Sequence, residues 1–119
     1  MLGSGAVVVM DKTTNVVAAA LSIVRFFAHE SCGQFTPCRE GTTWMQRILE
    51  RILSGEGRPS DLDLLLDVSD NISPGLRWPP VMTTICPLGP SAVSPITSIL
   101  GNFREEVAAM IPRQETAGV

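Results

Sequence analysis

Three cysteines and one histidine are the residues of this 119-residue sequence with the greatest capacity to bind a metal. Cys32 and Cys38 lie six positions apart in Glu30-Ser31-Cys32-Gly33-Gln34-Phe35-Thr36-Pro37-Cys38-Arg39, and Cys86 follows 48 positions later (86 − 38). Thiolates are soft donors that suit zinc or an iron–sulfur cluster. A 4Fe–4S cluster takes four ligands, often three from a tight C-x2-C-x2-C turn and one remote cysteine. On that spacing the middle position is Phe35, which carries no donor atom. His29 adds a second possibility, a Cys3His zinc site. Against it, His29 falls in the last turn of a helix, where favouring the helix dipole is the simpler role. A third possibility is that the thiols are small buried hydrophobes. An odd cysteine count without an export-signal pattern argues against a disulfide framework.

The elements that must position these thiols are helical. Val16, Ala19, Ala20, Ile23, Val24 and Phe27 form an apolar stripe at helical spacing, which predicts a helix over 14–30 capped by Asp11, Thr13 or Thr14. A second helix is expected over 39–54. Its ridges are Trp44, Ile48, Ile52 and Met45, Leu49, Leu53, and Gly55 to Pro59 end it. A third starts near Ser60, with Leu62, Leu65, Leu66 and Ile72 inward and Asp61, Asp63, Asp67 and Asp70 as a solvated face. Five prolines predict a loop over 73–90, with Trp78 as its anchor and Trp44 in the core. A fourth helix begins between Pro90 and Pro95 and runs to about Ile111, with Ile96, Ile99, Leu100, Phe103, Val107 and Met110 as its stripe. Val7 to Met10 read as a short buried strand with no partner in the sequence.

The expected fold class is therefore all-α: a small antiparallel four-helix bundle with a short N-terminal strand left from a preceding domain. Residues 1–11 are strand and linker, 12–111 the helical domain and 112–119 a disordered tail. The hairpin of the second and third helices brings Cys86 back beside Cys32 and Cys38. Apolar residues make up 45% and charged residues 18%, which excludes a chain too polar to fold. A net charge of −3 offers no field that attracts nucleic acid or anionic lipid. The longest apolar stretch, 16–24, is too short to span a bilayer.

The stretch His29-Glu30-Ser31-Cys32-Gly33-Gln34, then Pro37-Cys38-Arg39-Glu40-Gly41-Thr42, then Thr84-Ile85-Cys86-Pro87-Leu88-Gly89, resembles the C-terminal end of the NADH-binding flavoprotein subunit of respiratory complex I, NADH-quinone oxidoreductase. The family motif reads E-S-C-G-x-C-x-P-C-R-x-G, followed by T-I-C-x-L-G. Related subunits occur in NAD-reducing hydrogenases and formate dehydrogenases. The resemblance covers nearly the whole chain, from Gly3 to Glu106.

The resemblance implies a helical iron–sulfur domain whose 4Fe–4S cluster takes electrons from the flavin and passes them towards quinone. Cys32, Cys38 and Cys86 match three of the four metal ligands, and Phe35 occupies the fourth position. Gly33, Pro37 and Arg39 stand behind them; Arg39 either raises the cluster potential or pairs with Glu30 or Glu40. With Phe35 present, the options are a 3Fe–4S cluster, a cubane with water or a small thiol at one iron, or no cluster. No residue is expected to act as an acid–base catalyst. In the family a flavin- and NADH-binding region and a ubiquitin-like domain precede this one. Gly3-Ser4-Gly5 is too short to cradle FMN or NAD, so this chain alone is not expected to oxidise NADH. The implied partners are other complex I subunits or a separate FMN/NADH-binding part, with no nucleic acid and no direct membrane insertion. The implied location is cytoplasmic and peripheral to the inner membrane, or the matrix in a eukaryote. The alternative is a cluster-free helical interaction domain.

Overall fold

Asn15, not one of the residues before it, starts the first helix. In the computed structural model, which describes residues 5–74 and 84–112, the Asn15 side chain accepts hydrogen bonds from the backbone N–H groups of Val17 and Ala18, both at 3.0 Å. Two of the four donors orphaned at a helix start are thereby satisfied. Asp11 instead folds a turn ahead of the helix: its Oδ1 accepts from Thr13 N (2.9 Å) and Thr13 Oγ1 (2.6 Å). The strand expected at Val7–Met10 does not form, and no strand occurs among the described residues. Val7, Val8 and Val9 are 76%, 80% and 92% exposed. A strand needs a neighbour to take its backbone groups, and among the described residues there is no second strand.

Among the described residues five helices follow: α1 Val16–Glu30, α2 Thr36–Leu53, α3 Asp61–Ile72, α4 Leu88–Asn102 and α5 Arg104–Ala109. The fold is all-α among the described residues. Helices α1 and α3 each pack against both α2 and α4, and α5 rests on α4. Val17, Val24, Met45, Ile52, Leu65, Ile72, Ile96 and Val107 are buried almost completely and form the centre of one core. Each such side chain contributes roughly 1.5–3 kcal/mol relative to exposure.

Several details differ from the sequence expectation. The α1 face is rotated by about one residue, burying Val17, Ala20, Leu21 and Val24 and leaving Ile23 exposed. Trp44 is 52% exposed rather than in the core; Trp78 lies outside the described residues. Helix α4 begins at Leu88, ahead of Pro90, because the first turn of a helix has no use for an N–H. It also contains Pro95, opposite the carbonyl of exposed Ser91, which water can reach. It does not run on to Ile111: the chain breaks at Phe103 (φ −130°, ψ 25°) and restarts as α5.

A further difference concerns Asp61, expected to be solvated. Its side chain is 1% exposed and pairs with Arg51 of α2, which is 29% exposed. Oδ2 accepts from Arg51 Nε (3.0 Å) and from the Arg58 N–H (2.9 Å), while Oδ1 takes the second guanidinium bond. The ion pair fastens the turn between α2 and α3. Asp63 and Asp67 are exposed as expected, and Asp63 pairs with Arg104 of α5 at 2.6 Å. No helix among the described residues is long and apolar enough to cross a membrane.

Candidate iron–sulfur site

The turn between α1 and α2 is built from its backbone outward. Ser31 closes α1, its N–H bonding to Phe27 O at 3.0 Å. Gly33 then adopts φ +76°, a left-handed conformation that disfavours a side chain. Arg39, one turn into the next helix, donates from Nη1 to Gly33 O (3.0 Å) and from Nε to Glu40 Oε1 (2.9 Å). Glu40 is thus its acidic partner, and the guanidinium staples the turn to α2. Phe35 is the N-cap residue of α2 and makes no side-chain capping bond. Pro37 sits in the first turn, where its missing N–H costs nothing.

That first turn presents Cys38, which is buried. Its Sγ lies 3.5 Å from Ser31 Oγ. The thiol thus stands at the N-terminal end of α2 with a hydroxyl beside it. Behind it, Thr42 is fully buried and returns its Oγ1 to Cys38 O at 2.8 Å. Gly41 lets α2 approach α3 closely: a methyl there would sit 2.6 Å from Ile72 Cδ1.

The second wall comes from the segment leading into α4. Thr84 is buried and donates from Oγ1 to Cys86 O at 2.6 Å, folding the backbone round the thiol. Gly89 permits this, since a side chain there would run into Thr84. Cys86 therefore also stands just ahead of a helix N-terminus.

The two walls enclose one cavity of about 430 Å3. Cys32, Cys38 and Cys86 all line it, with Phe35 among them and Ser31 and Thr84 beside them. Cys32 and Cys86 are exposed, so the cavity opens to solvent. His29 is not part of it; its Nδ1 faces Glu30 Oε1 at 3.1 Å, at the end of α1. Among the described residues no three His, Cys, Asp or Glu side chains close round a single point as one metal ion would require. Three sulfurs spread round a larger cavity suit a cluster better than a lone zinc ion.

The three thiols are evident from the sequence; Ser31 and Thr84 are not singled out there. Both carry a signal in retrospect: a hydroxyl adjacent to Cys32, and one two residues before Cys86, the spacing of a side chain that folds its own backbone. Arg39 and Gly33 are joined across the turn by a side-chain-to-backbone hydrogen bond.

Comparison with known proteins bears on what this arrangement is. The family model described as the NADH-ubiquinone oxidoreductase-F iron-sulfur binding region matches residues 18–110. The chain belongs to that family. The NADH-quinone oxidoreductase F-type subunit of Rickettsia bellii (strain OSU 85-389) is 42% identical over 110 residues, 92% of this chain and 24% of the relative. Its counterpart from Rhodobacter capsulatus is 39% identical over 114 residues, 96% of this chain and 25% of the relative. Among solved structures, an NAD+-reducing NiFe hydrogenase in its H2-reduced state superposes with a TM-score of 0.76 at 30% identity, covering 89% of this chain and 17% of that one. The chain thus spans about a quarter of the length of these F-type relatives, and the shared part is their iron–sulfur binding region.

Proposed function

We propose that this chain is the electron-relay region of an NADH-quinone oxidoreductase F-type subunit, with its iron–sulfur cluster held by Cys32, Cys38 and Cys86. The observation that carries this reading is the meeting of all three thiols of the sequence on the walls of one cavity. When bound, the cluster supplies one-electron chemistry between a reduced flavin and the path to quinone. The residues of the chain hold and tune it. The N-terminal ends of α2 and α4 offset the negative charge of three thiolates. Ser31 Oγ, 3.5 Å from Cys38 Sγ, stabilises that thiolate by donating to it. Arg39 keeps the Gly33 turn in shape. Phe35 supplies no donor, so the relay departs from a four-thiolate design and is impaired to that extent.

On this reading the four longer helices form an antiparallel bundle, a rigid frame for the site. The partners are a flavin- and NADH-binding part and other subunits of the same complex; the F-type relatives support this. The location is the cytoplasmic face of the membrane that carries the complex, or the matrix face in a eukaryote. The test is anaerobic reconstitution of the chain with ferrous iron and sulfide, read by visible absorption and by iron, sulfide and zinc analysis. Iron and sulfide bound in the parent, and lost in Cys38→Ala and Cys86→Ala, are expected. A colourless chain that holds zinc alone, or no metal, would favour a structural zinc site or a cluster-free interaction domain instead.

A further inference from the structure

The cavity walls are unequal. Three thiols share them with the ring of Phe35, and the sequence holds no fourth cysteine. A cubane of four irons takes four terminal donors; a cuboidal cluster of three irons takes three. Three of the nearby side-chain oxygens are already engaged. Ser31 Oγ sits against Cys38 Sγ, Thr84 Oγ1 is engaged with Cys86 O, and Glu30 Oε1 faces His29. Gln34 brings a neutral amide, a poor iron ligand. Phe35 is half-buried in the cavity wall, with its backbone held extended at the start of α2. A water ligand on a fourth iron beside that ring would find no hydrogen-bond partner in it.

Resting on the iron–sulfur reading above, the geometry points to a 3Fe–4S cluster, one iron to each of Cys32, Cys38 and Cys86, as the group this cavity holds. Phe35 is the wall at which a fourth iron would need a donor. The oxidised cluster contains three ferric irons. Held by these three thiolates, such a cluster would supply one-electron chemistry, accepting one electron from a reductant with its three protein ligands unchanged.

The experiment uses the full chain, reconstituted anaerobically with ferrous iron and sulfide, and then reduced with dithionite in excess ferrous iron. Iron and sulfide are counted before and after, with EPR in both states. The expected result is three irons and four sulfides per chain, an EPR signal in the oxidised state that one electron per cluster abolishes, and no uptake of a further iron on reduction. Phe35→Cys is expected to take four irons and to show its signal in the reduced state. Four irons in the parent would overturn the three-iron assignment and leave the iron–sulfur reading standing. An empty parent beside a loaded Phe35→Cys would overturn the assignment and also the reading that the parent chain itself holds a cluster. Three irons in Phe35→Cys would also overturn the assignment, because position 35 would then not set the count. No iron in either protein would remove both the assignment and the reading beneath it.

Discussion

The Arg51–Asp61 pair gives the most demanding test of how this fold is held. Replacing Asp61 by Asn removes the charge and turns an N–H towards a guanidinium that has only N–H groups to offer. Breaking a buried ion pair costs about 3–5 kcal/mol. Arg51 is 29% exposed and regains some hydration, so the loss for Asp61→Asn is placed at about 2–3 kcal/mol. Arg51→Met leaves the more deeply buried partner charged, with the Arg58 N–H and the Arg58 charge to stabilise it. It is expected to cost about 1 kcal/mol more than Asp61→Asn. Arg51→Met with Asp61→Leu removes both charges, and its loss is expected to fall well short of the sum of two single losses.

The pH dependence of this pair follows from its environment. Burial raises the Asp61 pKa, but hydrogen bonds from Arg51 and the Arg58 N–H outweigh it and hold the carboxyl below its ordinary 3.8. A carboxylate lowered in the folded state adds stability above its unfolded pKa, and that stability drains away as pH falls through the folded value. Urea titrations followed by far-UV circular dichroism, at neutral pH and in steps down to about pH 3, are the assay. The parent and Asp61→Asn curves should converge at the acid end. A neutral-pH loss under about 1 kcal/mol, or a gap that persists unchanged at acid pH, would refute the reasoning.

Three further outcomes are expected. Gly89→Ala pushes a methyl to within 2.9 Å of Thr84 Oγ1, disturbing its bond to Cys86 O; the fold should persist by circular dichroism while cluster retention falls about 10-fold in a chelator challenge. Gly41→Ala gains about 1 kcal/mol of helix propensity but overpacks against the fully buried Ile72, which cannot swing aside. Its urea midpoint should therefore drop, whereas Gly101→Ala, with open space at its methyl, should raise the unfolding free energy by about 0.5 kcal/mol. Asn15→Ala should cost about 1 kcal/mol, since two N–H groups of α1 lose their acceptor.

The parts of the fold that patterning revealed are those where one local rule acted alone. Met45, Ile48, Leu49 and Ile52 repeat at helical spacing between clear stop signals, and they are buried. In α1 nearly every position is apolar, so the stripe does not choose a face, and packing against α2 and α4 selects one a residue away. Trp44 adjoins the buried ridge of α2, and periodicity cannot say on which side of the boundary a large ring falls. Asp61 looked like one more acid in a spaced series. Only Arg51, ten residues earlier and on another helix, distinguishes it from Asp63 and Asp67. The Phe103 break could have been anticipated: Gly101 and Asn102 are residues that commonly end helices. At the site, Cys32, Cys38 and Cys86 were legible from type and spacing. Ser31 and Thr84 were not singled out, because a hydroxyl becomes part of a thiol site only once the turn brings it there.

The cavity also bears on how the chain folds. Its walls come from two segments, one ending at Cys38 and the other beginning at Thr84, so neither hairpin of helices can make it alone. A group gripping Cys38 and Cys86 closes a loop of 48 residues (86 − 38). By the loop-closure entropy that governs any cross-link, such a clasp is worth about 4 kcal/mol to the folded state. Such a clasp would make α2 and the start of α4 unfold as one unit.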